Sequence, residues 1–397
     1  MVTLAEANSA SNASTLLRQA ICSSIENAGE GEDVHLVIFG LTISSSWGNG
    51  HATLWRSLVK ATLRRGHTVN FYERDVPYYA GTRDLWELPE GGHLKLYESL
   101  DQITAEVKRD LDDADLALCT SYCADGPAAC QMILDSRAQV KAFYDLDTPV
   151  TLDGLQSGTS MEYLPQGGLG DFDLVLSFTG GRALDELKTR LGARSVAPLY
   201  GSVDPETHFP VAAKEEFRAA LSYLGTYAAD RQSGVNRLLL EPARLLPDSR
   251  FVIGGAQYPE EFPWTKNICF VQHLPPSLHP AFFCSGRATL NVTRRAMASY
   301  GYCPSGRIFE AAACGVPLLT DVWEGLETFF EPGREILPVT SADEVLEALS
   351  LSDAELNSVS AAARERTLAE HTGEQRVLEL ERLCESVRTA SEKEVVA

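Results

Sequence analysis

The chain has 397 residues, 44% of them hydrophobic, which is enough to bury the cores of two or three domains. Its 55 acidic and 34 basic residues give a net charge of −21, which excludes a broad nucleic-acid face and docking on anionic lipid, since both need basic surfaces. No apolar run approaches the ~18 residues of a membrane span, the N-terminus lacks the basic flank and apolar core of a signal peptide, and nine scattered cysteines read as the reduced thiols of a cytosolic (cytoplasmic) protein.

In chain order, residues 1–33 are rich in Ala, Ser, Asn and Glu and read as a flexible N-terminal extension. VHLVIFG at 34–40 predicts a strand, HATLWRSLVKATLRRG at 51–66 a helix ending on Gly66, and TVNFYE at 68–73 a second strand. Further strands are predicted at DLALCTS (115–121), QVKAFYDLD (139–147), FDLVLSF (172–178) and SVAPLYG (195–201), with helices near 101–112, 127–135 and 182–191 between them. VDPETHFPV at 203–211 reads as a linker. The rhythm then restarts, with strands at ALSYLGT (220–226), RFVIGG (250–255), ICFVQ (268–272), ATLNVT (288–293), VPLLTD (316–321) and EILPV (335–339), a helix running to about 245, and helices dominating after 341. Continuous apolar strands separated by amphipathic helices predict parallel sheets covered on both faces. The fold class is therefore α/β, with two doubly wound domains, 34–205 and 206–385, and a disordered tail at 386–397. Ligands of such sheets bind beyond the carboxyl ends of the strands, which here means a cleft between the domains.

The stretch LNVTRRAMASYGYCPSGRIFEAAACGVPLLTD (290–321) carries the sharpest chemistry. Ser305 suits a helix cap before Gly306, three alanines favour the helix, and Gly315 suits a left-handed end. The N–H groups of such a helix start form an anion site. Arg307 in the first turn works against the helix dipole unless an anion is present. Glu310, three residues on, offers a carboxylate to a pair of ribose hydroxyls; the plainer alternative is an Arg307–Glu310 ion pair on a packing helix. Arg294 ends the preceding strand, where it would meet phosphate or sugar. Nearer the N-terminus, a small-residue loop containing Asn49 and Gly50 would let substrate approach the backbone and leads to His51, a general base, a hydrogen-bond donor or simply a helix cap. Asp75 follows the second strand, as a base, an acceptor ligand or a surface-loop aspartate. Asp145 and Asp147 sit two apart, on one face of a strand, and read as lining of the acceptor cleft; no metal site is expected.

SGRIFEAAACGVPLLTD resembles the donor-nucleotide signature of glycosyltransferases with the GT-B fold. HLPPSLHPAFFCSGRATLNVTR, HTGEQRV, ERDVPYYAGTRDL, YDLDTPVTL and LYGSVDPETHF are similar to the CgeB-like (spore maturation protein-like) members, over about residues 34–385. The resemblance implies two Rossmann-like domains facing each other across a cleft, the first for the acceptor and the second for the donor. It implies metal-independent transfer of a sugar from a UDP-, GDP- or dTDP-linked donor to a hydroxyl of a glycan, small molecule or protein, with no cofactor beyond the nucleotide-diphosphate sugar. It places Gly225, Thr226 and Arg231 at the diphosphate, His273 and Leu274 at the base, and Ser305, Gly306, Arg307 and Glu310 around phosphate and ribose. The first glutamate of the retaining-enzyme signature falls on Tyr302, a departure from the pattern. Two alternatives therefore stand beside transfer: a non-catalytic nucleotide-sugar-binding protein and a GT-B nucleotide-sugar epimerase.

Overall fold

The structure is a computed structural model that describes residues 33–47 and 50–396. The extension expected at 1–33 falls almost wholly outside the described residues, and so does Asn49.

Seven strands form the first sheet: β1 (His35–Gly40), β2 (Thr68–Arg74), β3 (Gly92–Tyr97), β4 (Leu116–Thr120), β5 (Val140–Asp145), β6 (Leu174–Ser177) and β7 (Val196–Pro198). Their order is β3-β2-β1-β4-β5-β6-β7, and β1 pairs in parallel with β2 (His35 opposite Thr68) and with β4 (Leu36 opposite Leu116). Six strands form the second: β8 (Ala219–Leu224), β9 (Phe251–Gly255), β10 (Ile268–Gln272), β11 (Gly286–Asn291), β12 (Leu318–Thr320) and β13 (Leu337–Pro338), in the order β10-β9-β8-β11-β12-β13. All pairings in both sheets are parallel. Strand order therefore reverses between β1 and β4 in one sheet and between β8 and β11 in the other, which opens a crevice at each point.

The central strands are buried on both faces, which is why they read as unbroken apolar runs. Phe39, Phe143 and Phe172 anchor the first core, and Phe251, Leu239 and Leu319 lie in one layer of the second. Phe282, Phe309 and Phe330 fill the other layer. β3 was not expected. It is an edge strand whose residues are mostly only partly buried, so its sequence, GHLKLY, carries no continuous apolar run. The single helix expected to end near 245 is broken into a 3-10 turn (Ala229–Arg231), a helical turn (Gln232–Val235), a π turn (Asn236–Leu240) and a last helical turn (Glu241–Leu245). Pro242 has no N–H to give and sits just past the π turn, where it interrupts the regular ladder.

Five helices matter for the site: α1 (His51–Arg64), α2 (Thr148–Gln156), α3 (His279–Ser285), α4 (Gly306–Ala313) and α5 (Gly373–Val396). α5 corrects the disordered tail, because it runs through the residues expected to be unstructured. Its sequence there is rich in helix formers, and it is tied to the first domain. Arg65 holds Glu381 through two bonds of 2.7 and 2.9 Å, His67 reaches the same carboxylate at 2.7 Å, and Arg388 reaches Gln139 at 3.1 Å. The chain thus crosses between domains twice, at the linker and again just before α5. The crossings are stitched together by Val203 N–H to the His371 carbonyl (3.0 Å) and Gly373 N–H to the Val203 carbonyl (3.0 Å). Arg376, buried, donates to the carbonyls of Tyr200 and Gly201 (both 3.2 Å) and of Glu370 (3.3 Å). A Cβ on Gly373 would stand 2.7 Å from the Ser57 carbonyl oxygen, so the contact of α5 with α1 requires glycine there. No helix among the described residues is long and apolar enough to cross a membrane.

Candidate active site in the cleft

A cavity of about 880 Å³ lies where the carboxyl ends of the two sheets face each other. The first domain contributes the segment after β1 (Leu41, Ser46, Gly50), His51 on α1, Tyr122 after β4, Leu146 and Asp147 after β5, and Phe178 after β6. The second contributes Gly225 to Arg231 after β8, Gly255 to Gln257 after β9, His273 and Leu274 after β10, Thr293 and Arg294 after β11, and Ser305 to Arg307 with Glu310 on α4. Both reversal points open into it.

On the second-domain side, α4 starts at Gly306, and Gly315 at φ +69° accepts the left-handed end, with its N–H bonded to the Ala312 carbonyl at 2.9 Å. Ser305 occupies the cap position with extended backbone, but its hydroxyl makes no capping bond. Arg307, partly buried, lines the cavity with Arg231, which is buried and donates to the Thr226 carbonyl. Burial, and then the charge of Arg231, push the Arg307 pKa down, as like charges sharing a desolvated wall do. Arg307 forms no ion pair within 4.0 Å with Glu310 or any other carboxylate of the described residues, so the plain Arg307–Glu310 pair is not made. Arg294 stands at the mouth with its Nε 3.1 Å from Asp230 Oδ2. Its neighbour Arg295 is exposed and begins a short helix pointing elsewhere. His273, at φ +47°, donates its N–H to the Gly255 carbonyl (2.7 Å) and packs its ring 4.1 Å from that of Trp47. Across the cleft mouth, Gln257 Nε2 lies 3.5 Å from the Tyr78 hydroxyl.

On the first-domain side, His51 Nε2 lies 2.7 Å from Asp147 Oδ2, a bond between residues 96 apart in sequence. Burial works to raise the Asp147 pKa, but the His51 hydrogen bond and charge, with Arg294, bring it below the usual value. Asp145 behaves oppositely. It is fully buried, does not line the cavity, and burial, with the Asp147 charge adding, raises its pKa to about 7 against hydrogen bonds that lower it. The expectation that both aspartates line the cleft is corrected for Asp145. β5 ends at Asp145 and the chain turns at Asp147 into α2, so the two do not share a strand face.

Asp75 is also placed outside the cavity, in an ion pair with Arg83 at 2.9 Å. β2 is one strand removed from the reversal point, so a residue following it stands away from the crevice. A different residue of β2 serves the site. Glu73, buried, accepts from Thr42 Oγ1 (2.9 Å), Ile43 N–H (2.8 Å), Ser44 N–H (3.0 Å) and Ser44 Oγ (2.5 Å). These four bonds fix residues 42–44, just after β1, and Arg56 of α1 adds a bond to the Ile43 carbonyl at 2.9 Å. No spacing rule pointed to Glu73, because its partners lie about thirty residues away on the neighbouring strand's loop.

One further feature was not read from sequence. His208 of the linker and His279 of α3 converge on Glu310, with His208 Nε2 3.8 Å and His279 Nδ1 3.6 Å from Glu310 Oε2. Burial acts to raise the Glu310 pKa, but its neighbours His208, His279 and Arg307 bring it down to about 2. Tyr302, where the signature has its first glutamate, is absent from the cavity wall. It takes φ +46°, accepts from the Gly180 N–H at 3.0 Å, and packs so closely that a Cβ on Gly181 would lie 2.6 Å from its ring. Its ring is a spacer between the domains, and the backbone strain it carries is held by packing on glycines.

Residues 231–382 match the family model described as glycosyl transferase-like. Sucrose-phosphate synthase from Thermosynechococcus elongatus is similar in structure, with a TM-score of 0.66 at 15% identity over 90% of this chain and 100% of that one. Anabaena HepE in complex with UDP and glucose aligns with a TM-score of 0.62 at 13% identity over 89% and 100%. An alpha-glucosyltransferase in complex with UDP and a 13-mer DNA containing an A:G mismatch aligns with a TM-score of 0.64 at 10% identity over 89% and 100%. No curated protein sequence matches. The architecture is the GT-B fold: two Rossmann-like parallel-sheet domains, of the kind found in these glycosyltransferases.

Proposed function

We propose that the protein is a glycosyltransferase of the CgeB-like kind that moves a sugar from a nucleotide-diphosphate sugar to an acceptor hydroxyl. The observation that carries this reading is the pair Arg231 and Arg307, which line the same cavity, with no carboxylate of the described residues within 4.0 Å of Arg307. A diphosphate of about two to three negative charges is the ligand that balances them. The glycosyl transferase-like match spans both arginines, and two of the structural relatives hold UDP.

In this reading the backbone after β8 and the N–H groups at the start of α4 receive the diphosphate, Glu310 serves the ribose, and His273 with Leu274 meets the base. As the acceptor oxygen bonds to the anomeric carbon, the bond from that carbon to the diphosphate breaks, and the negative charge developing there is met by Arg231 and Arg307. The leaving group then needs no metal of its own. The acceptor's proton passes to His51, and the Asp147 carboxylate stabilises the imidazolium that forms. Closure of the cleft, bridged by Trp47 against His273, keeps out the water that would compete as acceptor.

Release of nucleoside diphosphate from UDP-, GDP- and dTDP-sugars, measured over a panel of glycan and small-molecule acceptors, tests the proposal. Turnover that depends on an acceptor is the expected result. The displacement of the signature glutamate by Tyr302 favours one second reading, a nucleotide-sugar-binding protein without catalysis, and tight binding with no release at any acceptor identifies it.

A further inference from the structure

We propose that His208, His279 and Glu310 form a binding site for a zinc-class divalent cation at the wall of the cavity, which His279 and Glu310 line. His208 Nε2, His279 Nδ1 and Glu310 Oε2 all lie within 4.8 Å of one another. The separations to Oε2, 3.8 and 3.6 Å, are too long for hydrogen bonds. Both ring nitrogens of His208, His279 Nδ1 and Glu310 Oε2 are buried atoms with no hydrogen-bond partner among the described residues, and His208 is 2% and Glu310 5% exposed. Three such atoms turned toward one point are costly in a folded protein unless something between them supplies the missing interactions.

The donor set identifies what fits. Two imidazoles and one carboxylate, with a side open to a cavity, are the ligands of a four-coordinate zinc that keeps one position for an exchangeable group. Bonds of ~2.1 Å to a tetrahedral ion place ligand atoms ~3.4 Å apart, so the two separations to Glu310 need to shorten by only a few tenths of an ångström. His279 Nε2 lies 3.3 Å from the Leu274 carbonyl. That contact assigns the proton to Nε2, bares Nδ1 toward Glu310, and supplies the backbone partner that metal-bound histidines usually have on their second nitrogen.

The ion's place is beside the diphosphate arginines rather than on them, since α4 carries both Arg307 and Glu310. Its effect would be to fix the Glu310 carboxylate through one oxygen, tie the linker to α3 and α4, and leave the other oxygen to a ligand in the cavity. The site does not rest on the transferase reading and is testable without nucleotide.

The full-length protein, stripped by a chelator, is titrated with Zn²⁺ and then with Co²⁺ as a spectroscopic probe. One saturable equivalent is expected, with a Co²⁺ spectrum of nitrogen and oxygen ligands, no thiolate charge-transfer band, and a thermal midpoint that rises with Zn²⁺. His208→Gln and His279→Gln should each weaken uptake at least about tenfold, as loss even of outer partners does, while the metal-free thermal midpoint reports whether each variant folds. No saturable uptake, a thiolate band, or uptake unchanged in both folded variants would overturn the site. UDP binding is measured separately, so a failure here is not confused with failure of the donor site.

Discussion

His51 and Asp147 lie 96 residues apart and meet at 2.7 Å, and the chemistry assigned to them is separable from donor binding. His51→Ala should lower the rate of diphosphate release by about 10²–10⁴-fold, as loss of a general base does, and leave UDP affinity close to wild type. Asp147→Asn should lower the rate too, because an amide no longer stabilises the imidazolium. A fully active His51→Ala removes the residue from the mechanism. Asp145, just behind them, gives a pH test. Its pKa is raised from an ordinary 3.8 to about 7, so its contribution to stability is complete below the ordinary value and is lost as pH rises through about 7. The Thr151, Ser121, Tyr163 and Asp147 groups face it. Asp145→Asn should therefore gain stability relative to wild type between about pH 5 and about pH 8, on the order of a few kcal/mol, read from urea midpoints at the two pH values. An equal wild-type-to-variant difference at both would show that Asp145 is ionised in the fold. Arg307 and Glu310 were legible because local spacing placed them on one short helix, with Gly315 just past its end. His208, His279 and Glu73 were not, because their partners arrive through crossovers that spacing does not encode.

At the scale of elements, the strands buried on both faces were readable as apolar runs, whereas β3 is a partly exposed edge strand and went unseen. The helix after β8 was readable in place but not in kind. Its turns change type near Pro242, and the 3-10 turn at its start carries Arg231 to the cavity. The described residues between β1 and α1 form no helix or strand, and the shape of 42–44 depends on the Glu73 carboxylate. Glu73→Gln replaces an acceptor of four bonds with a group that is half donor. It should destabilise the fold by about 2–3 kcal/mol, seen as a lowered thermal midpoint, and lower turnover through misplacement of His51. An unchanged midpoint would mean that the loop holds its shape without that carboxylate.

For the whole molecule, α5 joins the end of the chain to the domain that begins it, and Arg376 lies where the two crossings meet. The tail looked unstructured because its residues are charged and carry no apolar run, yet ion pairs from Arg65 and His67 give the helix partners that only the folded chain supplies. Arg376→Met keeps the aliphatic bulk and removes the donors, leaving buried carbonyls of Tyr200 and Gly201 without them. The cost should be several kcal/mol in thermal or urea unfolding, with turnover falling as the domains lose their fixed hinge. Wild-type stability in that variant would show that the crossings are held by packing alone.

The central claim is that the cleft grips a nucleoside diphosphate through Arg231 and Arg307. Calorimetric titration of UDP and GDP into wild type and Arg307→Ala addresses it most directly. The account predicts saturable binding of at least one nucleotide by wild type and a loss of at least about tenfold in the variant, as expected for removal of a charge-assisted contact of about 1.5–3 kcal/mol. Equal affinity in the two folded proteins would contradict it.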